Sequence, residues 1–117
     1  MPTAADERYV DLYLLPVARD RIEAYREQAL AYGALVREHG GLACREWVAD
    51  GEGDGNLPVA DGLVQTSAVA ELSSRAHRDE VMERVEADPR TDALTSGEQP
   101  ADMEQVRHGG FLPLAAG

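Results

Sequence analysis

Lysine is absent: every one of the 11 basic side chains in this 117-residue sequence is an arginine. That excludes a lysine Schiff base, and with it pyridoxal phosphate in its usual linkage. A single cysteine, Cys44, rules out an intrachain disulfide. It has no activating partner close in sequence and reads as an inert, buried thiol. Aromatic residues make up only 5% of the chain, so few rings are available to fill an interior. No apolar run approaches the ~20 residues of a bilayer-spanning helix. The stretch Met1 to Arg8 lacks the apolar segment of a signal peptide, and the expected location is the cytoplasm.

Positive charge is scarce as well. Against 22 acidic side chains the arginines leave a net charge of −11. Proteins hold phosphate backbones and anionic membranes chiefly through cationic side chains, so neither nucleic acid nor membrane is an expected partner. There is no zinc-like Cys/His spacing, no nucleotide-binding glycine loop and no serine-hydrolase elbow. The expectation is therefore no metal and no cofactor. The loop Asp50-Gly51-Glu52-Gly53-Asp54-Gly55 is similar to a calcium loop only superficially, because it lies between strands and Pro58 interrupts it.

What is present suits one α+β domain over residues 1–117, with 44% hydrophobic residues to build a modest core. Tyr9 to Leu15 alternates as a strand, with Val10, Leu12 and Leu14 on one face and Tyr9, Asp11 and Tyr13 on the other; Pro16 should end it. A helix follows from about Asp20 to His39, its buried stripe being Ile22, Tyr25, Ala29, Gly33 and Val36, with Gly40-Gly41 as the stop. Leu42 to Ala49 and Leu63 to Leu72 read as strands two and three, separated by a Gly- and Asp-rich loop. Ser73 or Ser74 caps a second helix to about Ala87, burying Val81, Met82 and Val85. Pro89 terminates it, and Thr91 to Leu94 forms one further turn. A last strand covers Gln105 to Leu112, with Gly109-Gly110 marking a bulge or a close backbone approach.

The order β-α-β-β-α-β gives a four-stranded antiparallel sheet with both helices on one face, a ferredoxin-like arrangement. A second face carrying Tyr9, Tyr13, Val69 and Trp47 requires cover, and a second copy of the sheet is the simplest. A homodimer is the expected assembly.

Several segments carry a family resemblance: Tyr9-Val10-Asp11 leading to Pro16, Glu23-Ala24-Tyr25-Arg26, Glu38-His39-Gly40 and Val48-Ala49-Asp50. To these are added Ser74-Arg75-Ala76-His77-Arg78-Asp79, Ala87-Asp88-Pro89-Arg90 and Gly109-Gly110-Phe111. In this order they resemble the DUF1428 family over nearly the whole chain except residues 51–62 and the tail. The resemblance implies a dimeric α/β barrel of paired ferredoxin-like units, similar in fold to the antibiotic-biosynthesis monooxygenases. It implies little chemistry. It also implies bulky aromatics at two barrel-facing places of strand three, where this chain has Ser67 and Val69. His108 stands where a Tyr is expected before Gly-Gly-Phe. Such losses would open a cavity large enough for a small ring, unless a neighbour such as Trp47 refills it.

Asp11 is the leading candidate for chemistry. It lies mid-strand between Tyr9 and Tyr13, on the face expected to line the barrel, where a buried carboxylate suits a general acid or base. The structural alternative is a carboxylate satisfied by a nearby Arg or by a Tyr hydroxyl. His108 is the second candidate, because imidazole exchanges protons near neutral pH and strand four should adjoin strand one. A bulge at the Gly pair would turn it outward and put Arg107 in its place. Glu46 matches a family Glu in strand two and Trp47 could wall the pocket, but only one of these neighbours can face it. His77 sits in the first turns of the second helix, as a packing or capping residue or as a ligand contact. Arg75 and Arg78 read as a solvated face with Asp79 and Glu80.

Two functions follow as expectations. One is a cofactor-independent enzyme using Asp11 and His108 as proton-handling groups on a hydrophobic, secondary-metabolite-like substrate. Dehydration, cyclisation, isomerisation and cofactor-free oxygenation are the reactions considered. Tyr9, Tyr13, Trp47, Glu46, Ser67, Val69 and His77 would contact that substrate, which would lie between the sheet and the helices or inside the dimer barrel. The other is a non-catalytic dimer that binds a small molecule in the same pocket; a dimer with a solidly packed barrel would do neither.

Overall fold

Two long antiparallel strands form the centre of the sheet, and the shorter strands flank them. A computed structural model of the protein describes residues 8–51, 53, 55–57 and 60–116. The elements are β1 (Tyr9–Ala18), α1 (Ile22–Glu38), β2 (Ala43–Val48), β3 (Leu63–Leu72), α2 (Arg75–Ala87), α3 (Pro89–Thr95) and β4 (Arg107–Phe111). Short 3-10 turns precede α1 and β4. The sheet order is β2-β3-β1-β4, and every pairing is antiparallel. This is the expected ferredoxin-like β-α-β-β-α-β arrangement, with α3 added after α2. Glu52, Asp54 and Pro58 of the acidic loop lie outside the described residues. Among the described residues no helix is long and apolar enough to cross a membrane.

Pro16 does not end β1. It pairs with Gln65 and the strand continues to Ala18. Its carbonyl accepts from the Asp102 N–H at 2.8 Å, on the side away from β3, while the Gln65 carbonyl turns towards β2 and takes the Ala49 N–H. The donor that proline lacks therefore belongs to the outer side of β1, where no β3 ladder bond is lost. Nor is there a bulge in β4. Its register runs unbroken from Val10↔Phe111 to Leu14↔Arg107. The glycine pair instead admits Tyr9: a Cβ on Gly110 would stand 1.7 Å from the Tyr9 hydroxyl oxygen.

Helix α1 stops in a Schellman turn. Gly41 N–H reaches the Val36 carbonyl and Gly40 N–H the Arg37 carbonyl, with Gly40 at φ +112°. Gly40→Ala should cost about 1 kcal/mol, since a Cβ disfavours that backbone. A urea midpoint equal to that of the parent chain would contradict this. Helix α2 begins at Ser74, whose hydroxyl accepts from His77 N–H at 3.0 Å. In return the His77 ring nitrogen Nδ1 accepts from Ser73 N–H at 2.9 Å, a reciprocal cap.

The interior consists of two clusters. Val36, Leu72, Val81 and Val85 form one, with Tyr9, Tyr32, Cys44 and Ala70 against it. Val17, Tyr25 and Ala101 form the other, joined by Leu15, Ile22 and Ala29. Burying each of these aliphatic side chains contributes about 1.5–3 kcal/mol. Helix α1 serves both: the stripe expected from its periodicity packs Ile22, Tyr25 and Ala29 on one cluster and Val36 on the other, where Tyr32 joins it.

Candidate functional site

Register decides which side chains share a face, because directly paired strand residues point the same way. Asp11 pairs with Ala70 and with Gly110, and Tyr13 pairs with Ala68 and with His108. Ala70 and Ala68 in turn pair with Cys44 and Glu46. All of these lie on the face covered by the helices, since Leu72 and Val17 of the same face are fully buried in the two clusters. Val10, Leu12 and Leu14 occupy the opposite face with Ser67 and Val69, which pair with Leu14 and Leu12.

This corrects the sequence reading. Tyr9, Asp11 and Tyr13 do not share a face with Ser67 and Val69, so the small residues of β3 open no space beside Asp11. The error came from assuming that the more apolar side of β1 meets the helices. Here the aliphatic side is the one the helices leave uncovered. Trp47 pairs with Ser67 and belongs to that other face, whereas Glu46 belongs to the helix face. His77 is spent on the α2 cap and borders Gly40 at the end of α1. Its substrate-contact role is corrected to a capping one.

On the helix face Asp11 is 1% exposed and anchors a polar cluster. Arg78, from the first turns of α2, donates through Nε to Asp11 Oδ2 at 2.8 Å. It also reaches Asp79 at 3.3 Å. His108 Nε2 stands 3.8 Å from the other carboxylate oxygen. The imidazole stacks on the Tyr13 ring with centroids 4.3 Å apart and planes 17° from parallel. Burial and the Asp11 charge push the Tyr13 phenol up from its ordinary value, against the opposing pull of Arg78. Asp11 is thus a paired carboxylate that fixes Arg78 and faces the imidazole. The structural alternative named for it, a nearby arginine, is the one realised.

Arg78 is therefore not part of a solvated face, and its spacing in the sequence shows why. Counting from Val81, Met82 and Val85, position 78 falls on the same helical stripe, which is a poor place for a solvated cation. An arginine on an apolar stripe calls for a buried anion opposite, and Asp11 was already identified as one.

Beside this cluster, between the two halves of the core, lies a cavity of about 260 Å³. Tyr13, Tyr25 and Tyr32 wall it, Ala68 and Ala70 floor it, and Met82, Gln28 and Glu46 border it. Gln28 is held by the Leu94 carbonyl at 2.7 Å and by Gln99 at 2.6 Å. Tyr25 donates to Glu46 at 2.8 Å. Asp11, Arg78 and His108 do not line this cavity; Tyr13 alone belongs to both.

Desolvation governs the protons here. Burial pushes Tyr32 up to about 12 and Cys44 up to about 11, which keeps the thiol protonated and inert as expected. Loss of water around Glu46 raises its carboxyl, and the Tyr25 hydrogen bond only partly offsets this. A carboxyl raised by folding costs stability above its folded value, and the cost vanishes below the unfolded value near ~4.3. Glu46→Gln should therefore stabilise the chain at neutral pH, with the gain fading as the pH falls through that value. A gain that persists in acid would contradict the assignment.

A second polar cluster joins α1 to α3. His39 meets Asp88 at 2.9 Å, and Arg90 bridges Asp88 and Glu38. Hydrogen bonds from Arg90 and His39 hold Asp88 well below the usual carboxylate range. The three residues Glu38, His39 and Asp88 are close enough to share a metal ion, but the Arg90 guanidinium already occupies both carboxylates. The cluster is a structural clasp.

Residues 8–103 match the family described as "Protein of unknown function (DUF1428)". The chain belongs to the DUF1428 family. Its relatives include the uncharacterized protein YbaA of Escherichia coli K12 and that of Shigella flexneri. Each is 30% identical over 119 residues, spanning 89% of this chain and 94% of the relative. In fold it is similar to an uncharacterized NIPSNAP domain protein from Burkholderia xenovorans, with a TM-score of 0.61 at 20% identity over 92% of this chain and 95% of that one. The DUF1428 segments recognised in the sequence now have places. Tyr9-Val10-Asp11 and the Ser74–Asp79 run meet in the Asp11–Arg78 pair, and Glu38-His39-Gly40 meets Ala87–Arg90 in the clasp.

Proposed function

We propose that the protein binds a hydrophobic small molecule in the cavity between its sheet and α1, as one half of a homodimer. The void itself carries this reading. At about 260 Å³ it exceeds the ~150 Å³ apolar cavity that suffices for benzene, and three tyrosines give it flat walls with polar tips. The dimer is supported by the opposite sheet face, where Val10, Leu12, Leu14 and Val69 have no helix over them and Trp47 and Phe111 are 51% and 53% exposed. Sedimentation should give twice the chain mass, and Leu12→Glu should halve it.

Indole is a suitable probe of the cavity. Titrated into protein carrying ¹³C-methyl methionine, it should shift the Met82 methyl resonance saturably, because Met82 borders the void. A shift that grows without saturating would remove the site.

One observation favours a second reading, a cofactor-independent acid–base enzyme. Tyr13 is both cavity wall and stacking partner of His108, so a phenol that burial keeps protonated can donate to a substrate oxygen with an imidazole stacked beside it. Small phenols and enolisable ketones are the substrates to screen. His108→Gln should abolish turnover and leave the indole-induced Met82 shift intact; turnover that survives this substitution would remove His108 from the chemistry, and a parent protein that turns over none of these compounds would return it to a binding role.

A further inference from the structure

A second, larger depression of about 600 Å³ runs along the outside of α1, between that helix and the free edge of β2. It shares Tyr25, Ala29, Gly33, Cys44 and Glu46 with the inner cavity. The two spaces therefore meet at the Tyr25–Glu46 hydrogen bond. The walls of the groove are apolar where exposure is high: Leu30 is 60% and Val48 57% exposed, and Trp47, whose side chain belongs to the other sheet face, borders the groove from the edge strand. Along α1 Glu23 and Arg26 stand towards one end and Arg37 at the other, while Glu46 of β2 and Arg37 both act on the Cys44 thiol. Among the described residues no carboxylate forms an ion pair with Arg37. Its neighbour Glu38 is taken by Arg90, and Glu71 by Arg8 and Arg45. Arg37 thus offers a guanidinium with no ion pair of its own at the end of an apolar groove.

The geometry points to a binding groove for an amphipathic carboxylate, its head on Arg37 and its apolar chain laid along α1 towards the Tyr25–Glu46 junction. From Arg37 to Tyr25 the helix rises about 18 Å, three turns of wall for an extended alkyl or aryl tail. The planar guanidinium suits a carboxylate in two-point contact, and the groove supplies the apolar area that a free anion in water lacks. The inference rests on the cavity reading above and names the class of molecule that would enter from outside.

The test uses decanoate below its micelle concentration, with Trp47, the only tryptophan, as the reporter. Decanoate should change the Trp47 emission saturably. Decanol should bind about tenfold more weakly, and decyltrimethylammonium should bind no better than decanol. Arg37→Gln should weaken decanoate about tenfold and leave decanol unaffected, whereas Arg75→Gln, outside the groove, should change neither. Equal affinity for decanoate and decanol, or an Arg37→Gln variant that binds decanoate like the parent, overturns the inference. So does an Arg37→Gln variant whose sedimenting mass changes, since the groove would then be an interface between copies. If decanoate fails while indole still shifts the Met82 methyl, the groove falls and the cavity stands; if both fail, both readings fall.

Discussion

Replacing Arg78 with methionine should cost the fold about 3–5 kcal/mol, a large part of the 5–15 kcal/mol that holds a domain of this size together. The reason is what the substitution leaves behind. Asp11 is 1% exposed, and its short hydrogen bond comes from Arg78 Nε at 2.8 Å. His108 is 3.8 Å away from the other oxygen, too far to replace a direct hydrogen bond. Methionine keeps the unbranched stem that packs beside the Val81 and Val85 stripe, so loss of packing contributes little. What remains is a carboxylate out of water with its main partner gone. A double-mutant cycle isolates that effect. Asp11→Val together with Arg78→Met removes both charges and should recover most of the loss, because an apolar pair of similar volume has no desolvation to offset. Chemical denaturation of the four proteins measures the coupling. If Arg78→Met alone costs less than about 1 kcal/mol, Asp11 is hydrated in solution and the cluster around it is not closed.

The same pair marks how far the sequence could be read. Alternation placed Tyr9, Asp11 and Tyr13 on one face correctly, and helical spacing found the stripes of α1 and α2, because both periods are fixed by backbone geometry. Which side of the sheet meets the helices is not encoded in one strand's alternation when both sides hold large side chains. Tyrosines pack into a core as readily as leucines line a second interface, and β1 offers both. The choice is settled by partners: Leu72 and Val17 are apolar, lie on the tyrosine face, and are fully buried under the helices. Pro16 and the Gly109-Gly110 pair misled for a related reason. Proline and glycine mark what a backbone permits, while the direction in which a missing N–H would point depends on the neighbouring strand. The space between sheet and helices is one of the two places expected for a ligand, but its walls are not legible, since the cavity arises between two core clusters and no single residue signals it.

Placing a phenylalanine at Ala68 should abolish indole binding, with a loss of at least about a hundredfold, or roughly 2.7 kcal/mol. Ala68 sits on the floor of the cavity, flanked by Tyr13 on β1 and Glu46 on β2. A phenyl group there would enter the void, and because ~150 Å³ suffices for benzene, it would claim more than half of the 260 Å³. The effect on stability distinguishes an open cavity from a collapsed one. If the space is open, the new ring buries its surface at a gain of about 1.5–3 kcal/mol, set against any rotamer strain, and the melting temperature holds or rises. If the core closes over the void in solution, the ring is overpacked and stability drops by about 1–3 kcal/mol. Ser67→Phe is the matched control one residue away. It points to the opposite face beside Leu14 and Trp47, so it should leave indole affinity unchanged and act, if anywhere, on association between copies. Loss of indole binding from Ser67→Phe rather than from Ala68→Phe would mean that the ligand lies on the sheet face away from the helices, where Asp11 has no part in it.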